Sequence, residues 1–543
     1  MALEVPAPPD HPARLLHENP AIHRRRWLLL GIMCLSLVMV VMSVAGLNVA
    51  LPSMQRALDA SASELQWIVD SYALVFAALL LFAGALGDRY GRKGALVFGL
   101  VVFGTGSVIS AIATGAGQII VGRVITGFGA AFVMPATLSL ISTIFPPEER
   151  AKAIAIWAGF AGGGAALGPI VSGALLNHFW WGSALLVNAP VIAVTLLMVA
   201  VFSPTSKDPN DTPLDPFGAV LSLIGLGTLV YGIIEGPDKG WTSGLVLGAF
   251  ALAAVGLVAF FVWEKRSDHP MLPLDLFADR RMSVGSGVVT AAFFIMFGLF
   301  FLFTLYLQFV RAYSPLSAGL ATLPLALALV AIAPRSAAMA DKMGSGRVIA
   351  VGFVSVAAGF GVLATISPTT PYLVLAVALV LLGAGMSLTA APATASIMSG
   401  VPHYKAGVGS AVNDTTREVG GALGIAILGS IASALYRSSV DLKALELPPG
   451  AAKAARESVG AASVVASQVP GGDALAARAA TAFTNAFDVV AIVGVVVSLV
   501  AAAVVAKLFS RQSEQNAAEA FAAASAAVAD ASGELPAPVL AFE

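Results

Sequence analysis

Long apolar runs recur along the chain, separated by short polar breaks. Their approximate limits are 27–50, 64–86, 93–115, 117–143, 151–177, 181–203, 216–235, 241–263, 282–309, 316–340, 347–367, 371–399, 406–436 and 479–508. A helix needs roughly 20 apolar residues to cross the hydrocarbon core of a bilayer, and these runs are of that length. Each run is continuous and lacks the period-two alternation of barrel strands, so helices are expected. The pattern predicts an all-α membrane protein with about fourteen transmembrane helices.

The first run follows a polar segment, residues 1–26, that ends in His23-Arg24-Arg25-Arg26. A secretory signal has a shorter apolar core and a small-residue cleavage site, so this run reads as a retained span with a cytoplasmic N-terminus. With that start, the alternation puts Arg89, Arg92, Lys93, Arg150, Lys152, Lys207, Lys265, Arg266, Arg280, Arg281, Lys342, Arg347 and Lys405 on the inner side. Only Arg56, Lys239 and Arg311 fall in the short outer loops. Such a bias is the expected signature of cytoplasmic loops. Both termini are therefore expected in the cytoplasm of a cell whose inner (plasma) membrane holds the chain.

Composition sharpens this picture. Of 543 residues, 58% are hydrophobic and only 11% charged, and mean hydropathy is +0.88. A soluble surface needs about twice that charge. The formal net charge of -1 leaves no basic footprint for a nucleic-acid partner. The single Cys34 excludes an internal disulfide or a thiolate metal site. No His/Asp/Glu ligand cluster is evident, so no metal, no cofactor and no enzymatic centre are expected.

Four places carry chemistry. The loop after the second span reads Gly84-Ala85-Leu86-Gly87-Asp88-Arg89-Tyr90-Gly91-Arg92-Lys93-Gly94. Gly87 and Gly91 suit a tight turn between helices, while Asp88 can face a helix N-terminus or pair with Arg89 and Arg92. A degenerate echo, Asp341 to Arg347, lies at the corresponding place of the second half, as internal repeats require. The fourth span holds Arg123, costly at membrane depth and hence either a functional group or a structural one bonded to carbonyls. The fifth span is rich in small residues, with Gly164, Gly168-Pro169 and Gly173 permitting close packing and a bend. The thirteenth span contains Asn413, Asp414, Arg417 and Glu418, with the two acids four apart on one face.

The second-span loop resembles the signature loop of the major facilitator superfamily, in which the Asp and Arg residues latch the cytoplasmic side of the outward-facing state. Gly84, Asp88, Arg89, Gly91 and Arg92 match its spacing. Gly122 to Ala131 resembles the fourth-helix motif of that superfamily, which links Arg123 to proton coupling, with Thr126 where Gln is usual. The Gly168-Pro169 segment resembles the antiporter motif of exporters, with Ser172 where a Gly is expected. Together with Trp180-Trp181, Val187 to Pro190 and the run from Gly407 to Gly424, these residues resemble the fourteen-helix drug:proton antiporter branch.

The resemblance implies two six-helix bundles, 27–203 and 282–508, with two inserted helices at 216–263. Around them lie a cytoplasmic linker (204–215), a cytoplasmic loop (264–281), a large outer loop (437–478) and a cytoplasmic tail (509–543). It implies a monomeric, proton-coupled antiporter that exports amphipathic small molecules by alternating access. The same motifs would serve an exporter of an endogenous lipid, siderophore or secondary metabolite. A non-transporting sensor or scaffold would keep the spans without needing buried charges.

One departure bears on coupling: Ser43 stands where the branch usually has an acid before Asn48-Val49-Ala50-Leu51-Pro52. Desolvated carboxylates elsewhere must then load the proton, since removal from water brings such groups toward neutral titration. The candidates at depth are Asp70, Asp414 and Glu418, with Glu235 and Asp488 nearer the ends of their spans. For Asp414 and Glu418, a charge cluster that meets the signature loop is an equal reading. The ninth span offers Phe293, Phe297, Phe301 and Tyr306 as candidate cavity residues for flat lipophilic substrates.

Overall fold

In the computed structural model, residues 19–206, 214–399 and 406–508 are described, apart from 271, 273, 443, 444, 446 and 471. The first half comprises α1 (Pro20–Leu58), α2 (Ala62–Tyr90), α3 (Arg92–Ala111), α4 (Ala116–Ile144), α5 (Pro147–Leu176), α6 (Ser183–Leu186) and α7 (Asn188–Phe202). Two helices follow, α8 (Pro216–Lys239) and α9 (Gly244–Arg266). The second half begins with α10 (Arg280–Leu305), which ends in a π-helical turn over Tyr306–Val310. It continues with α11 (Pro315–Ala321), α12 (Leu323–Met343), α13 (Ser345–Leu363), α14 (Tyr372–Ser399), α15 (Ala406–Ser439), α16 (Pro449–Glu457), α17 (Val459–Ala466) and α18 (Gly472–Leu508). Among the described residues 13 helices are long and apolar enough to cross a membrane, and α5, 30 residues long, runs beside them.

Capping residues set the ends. The Asn19 side chain accepts from Ala21 N at 3.0 Å, with Pro20 at the first helical position, so α1 starts seven residues before the apolar run. Ser61 and Glu64 form a reciprocal capping box that starts α2 three residues after Asp59 ends the preceding turn. Gly91 (φ 124°) makes the turn into α3, and Gly344 (φ 86°) makes the equivalent turn between α12 and α13. Both backbone settings suit glycine. Two expected spans are broken: 181–203 divides at Val187, and 316–340 divides at Thr322. The segment 437–478, expected as one loop, contains α16 and α17, and its ends belong to α15 and α18. The linker residues 207–213, the segment 1–18 and the tail from 509 lie outside the described residues.

The halves repeat one packing plan. In the first, α1 lies along α5, α2 and α3 along α4, and α3 along α7. In the second, α10 lies along α15, α12 and α13 along α14, and α13 along α18. Helix by helix these are the same neighbours, as an internal structural repeat requires. The inserted α8 and α9 pack on each other, and α8 also lies against α2 and α15.

The face where α1 begins is termed the near face, and the one where it ends the far face. Between the halves, α2 meets α15 and α5 meets α11. These junctions lie toward the far face: Gln66 Nε2 donates to Ile425 O at 3.2 Å, and a Cβ on Gly173 would stand 2.7 Å from Leu316 Cα.

Candidate functional site

Polar groups gather where α2, α4 and α15 converge. Arg123, 1% exposed, donates from Nε to Ile68 O at 3.1 Å and lies over the Tyr72 ring, 4.4 Å from its centroid. Its Nη1 and Nη2, like the Tyr72 hydroxyl, have no protein hydrogen-bond partner. A desolvated guanidinium on an aromatic face gains about 2 kcal/mol, which offsets part of the cost of burying it. Asp70, two residues before Tyr72, is fully buried with both carboxylate oxygens unpartnered by protein. A carboxylate left so in an apolar bundle is unfavourable as an anion. From the other half, Glu418 lies close enough to Arg123 and Tyr72 to interact electrostatically with both. The charge cluster therefore spans the boundary between the halves.

The rest of the α15 set faces α10 and α14. Arg417 pairs with Asp414 at 3.5 Å, within one helical turn, and covers the Phe293 ring at 4.7 Å. Asn413 Oδ1 accepts from Thr394 Oγ1 at 2.9 Å, and its Nδ2 donates to Asp414 Oδ1 at 3.4 Å. Phe297 packs on Gly421. Phe301 and Tyr306 lie elsewhere: Phe301 lines a small cavity near the far face, and Tyr306 forms a three-ring cluster with Phe303 and Phe487 while its hydroxyl donates to Ser367 O at 2.8 Å. Of the four candidate cavity aromatics, Phe293 and Phe297 are the ones beside the charged helix face.

At the near face, Asp88 Oδ1 accepts from Arg92 Nε at 2.6 Å and from Ser139 Oγ at 2.9 Å. Arg92 is the first residue of α3, so Asp88 stands beside the start of that helix and pairs with its side chain. Arg92 also donates to Ser206 Oγ at 3.1 Å, while Arg89 turns to the Tyr90 ring at 5.6 Å. Gly84 brings α2 against α4, where an added Cβ would sit 3.3 Å from Pro135 Cβ.

Helix α5 presents its small residues to α1. A Cβ on Gly164 would meet Val38 O at 3.0 Å, and one on Gly168 would meet Met42 O at 2.8 Å. Ser172 packs directly on Gly46. Ser43 is buried on α1 with an unpartnered hydroxyl, so no carboxylate enters this contact. Asp488 has one buried oxygen without a protein partner, and Glu235 accepts from Trp67 Nε1 at 3.1 Å. No group of three potential metal-ligating side chains occurs among the described residues.

Sequence reasoning passed over several participants. Tyr72 lies beneath Arg123, and Ser139 completes the Asp88 contact. Gln66 reaches Ile425 O, and Gln308 Nε2 donates to Val49 O at 2.8 Å. Isolated glutamines inside apolar runs were the available signal for the last two, since an amide is stable there only with a partner.

A family profile described as Major Facilitator Superfamily matches residues 33–425. The chain is a member of the major facilitator superfamily, a family of membrane transporters. It is 36% identical over 480 residues to the multidrug efflux pump LfrA of Mycolicibacterium smegmatis, covering 88% of this chain and 94% of that protein. It is 34% identical over 424 residues to the methyl viologen resistance protein SmvA of Salmonella typhimurium, covering 77% and 85%. Among solved structures, a bacterial homologue of the human lysosomal transporter Spinster superposes with a TM-score of 0.61 at 17% identity, covering 89% of this chain and 97% of that one. That likeness concerns the fold.

Proposed function

We propose that the chain is a proton-driven exporter of amphipathic small molecules that works by alternating access. The observation that carries this reading is the burial of two charged groups of the first repeat, Asp70 and Arg123, with Glu418 of the second repeat facing Arg123 across the boundary. Charges at that depth are expensive unless they are used, and a boundary site changes its surroundings whenever the halves rock. Proton loading at Asp70 or the α15 acids would neutralise a carboxylate and let Arg123 exchange partners. The efflux and resistance roles named for LfrA and SmvA support export of drug-like molecules.

In this reading the near face is cytoplasmic, both termini lie there, and the protein sits as a monomer in the inner (plasma) membrane. Asp88, Arg89 and Arg92 form the near-face latch, which engages the second half when that face closes. Phe293 and Phe297 offer flat surfaces to the substrate, beside Asp414 and Glu418. The protein performs no covalent chemistry. The test is transport of a panel of dyes in proteoliposomes of the full chain, with and without an imposed proton gradient. Gradient-dependent uptake of lipophilic dyes is expected, and dye movement indifferent to the gradient would overturn the coupling.

A further inference from the structure

The inserted pair α8–α9 lies outside the repeated plan, yet α8 touches both repeats at the far face. From α2, Trp67 Nε1 donates to Glu235 Oε1 at 3.1 Å and Ser63 Oγ donates to Asp238 Oδ2 at 3.1 Å. From α15, Ser430 Oγ donates to Ile233 O at 2.9 Å, and Arg437 forms an ion pair with Asp238 Oδ1. The two oxygens of one carboxylate thus hold one group from each half. Other charges at this corner are Lys239, paired with Glu235 at 3.0 Å and with the Tyr231 hydroxyl at 3.0 Å.

We propose that the far end of α8 is a clasp for the closed far face, with Asp238 as its pin. The inference rests on the alternating-access reading. When α2 and α15 move apart at the far face, Ser63 and Arg437 cannot both stay on a single carboxylate, so Asp238 must release one of them. Three-quarters of the Asp238 and Arg437 side-chain surface is shielded from solvent, so this pair is less screened than an open surface pair. Charge-assisted hydrogen bonds are roughly twice as strong as neutral ones, so Asp238 biases the equilibrium between open and closed far faces. The inserted helices would then tune the exchange cycle rather than merely pad the bundle against lipid.

The test uses the full chain in lipid nanodiscs, with Cys34→Ala and spin labels on Ala57→Cys and Thr369→Cys. Both label positions are exposed at the far face, one in each half. Asp238→Asn and Arg437→Gln are each expected to raise the long-distance population about tenfold. The double variant should rise no further, because both changes break one contact. Lys239→Gln removes a neighbouring charge outside the clasp and should leave the distances as in the wild type. Should Asp238→Asn fail to insert, Ser63→Ala reads the same equilibrium from the α2 side alone, with a smaller shift in the same direction. A long-distance population present in the wild type but unmoved by these variants would overturn the clasp alone. Its absence from the wild type and every variant would overturn the clasp together with alternating access.

Discussion

Gly168 of α5 lies against Gly46 of α1 so closely that a Cβ on Gly168 would stand 2.8 Å from Gly46 N. The two nearest atoms in the way are α1 main chain, with Met42 O equally near and Ala45 Cβ at 3.0 Å. Neither helix can yield without moving as a whole. Gly168→Leu is therefore expected to insert yet to misplace α5, at a cost of about 1–3 kcal/mol. That shifts a two-state equilibrium by one or two orders of magnitude. Proton flux into vesicles without substrate, set beside substrate counterflow, is the measurement. If both stay at wild-type levels, α5 is a packing helix only.

Asp70→Asn should abolish gradient-driven transport and leave the fold intact. The amide replaces a buried carboxylate that no protein group holds, so little structure is lost while the titrating group disappears. The double variant Asp414→Asn with Glu418→Gln tests the α15 side. Wild-type coupling in both proteins would remove proton carriage from all three acids.

Arg123→Lys keeps the charge and should still fail. A lysine has no planar face to lay on Tyr72 and no counterpart of the Nε–H that binds Ile68 O. Losing the stacking alone, about 2 kcal/mol, corresponds to roughly thirtyfold in transport rate. Tyr72→Phe retains the ring and should transport nearly normally, whereas Tyr72→Leu should resemble Arg123→Lys. Equal rates for the Phe and Leu variants would show that the ring does not matter.

Asp88→Asn should slow interconversion of the two facing states without weakening substrate binding. The asparagine oxygen can still accept from Ser139, but the charge facing Arg92 is gone. Substrate affinity by equilibrium binding and turnover by counterflow separate the two effects. Loss of affinity at unchanged turnover would contradict the latch.

The order and spacing of the long helices could be read from the apolar runs because each span must satisfy its main chain internally. Span ends were less legible. Asn19 and the Ser61–Glu64 box set helix starts by side-chain capping, and the breaks at Val187 and Thr322 lie inside apolar segments where hydropathy does not change. In the site, Arg123 and Asp70 stood out as charges at depth. Tyr72 did not, because an aromatic residue in a span looks the same whether it supports an arginine or faces lipid. Tyr306 shows the converse: its place in an aromatic-rich segment suggested a cavity wall, and its neighbours Phe303, Phe487 and Ser367 enclose it.

The glutamine contacts at the far face have a consequence for how this protein can vary. Gln66 and Gln308 spend their amide hydrogens on the main-chain oxygens of Ile425 and Val49. Those oxygens are supplied by any amino acid, so mutational drift at 425 and 49 leaves the receiving half of each contact in place, provided side-chain bulk is kept. All the heritable information for the contact resides in the donor codon. Because neither bond involves a net charge, membrane voltage and ionic strength exert no direct pull on it.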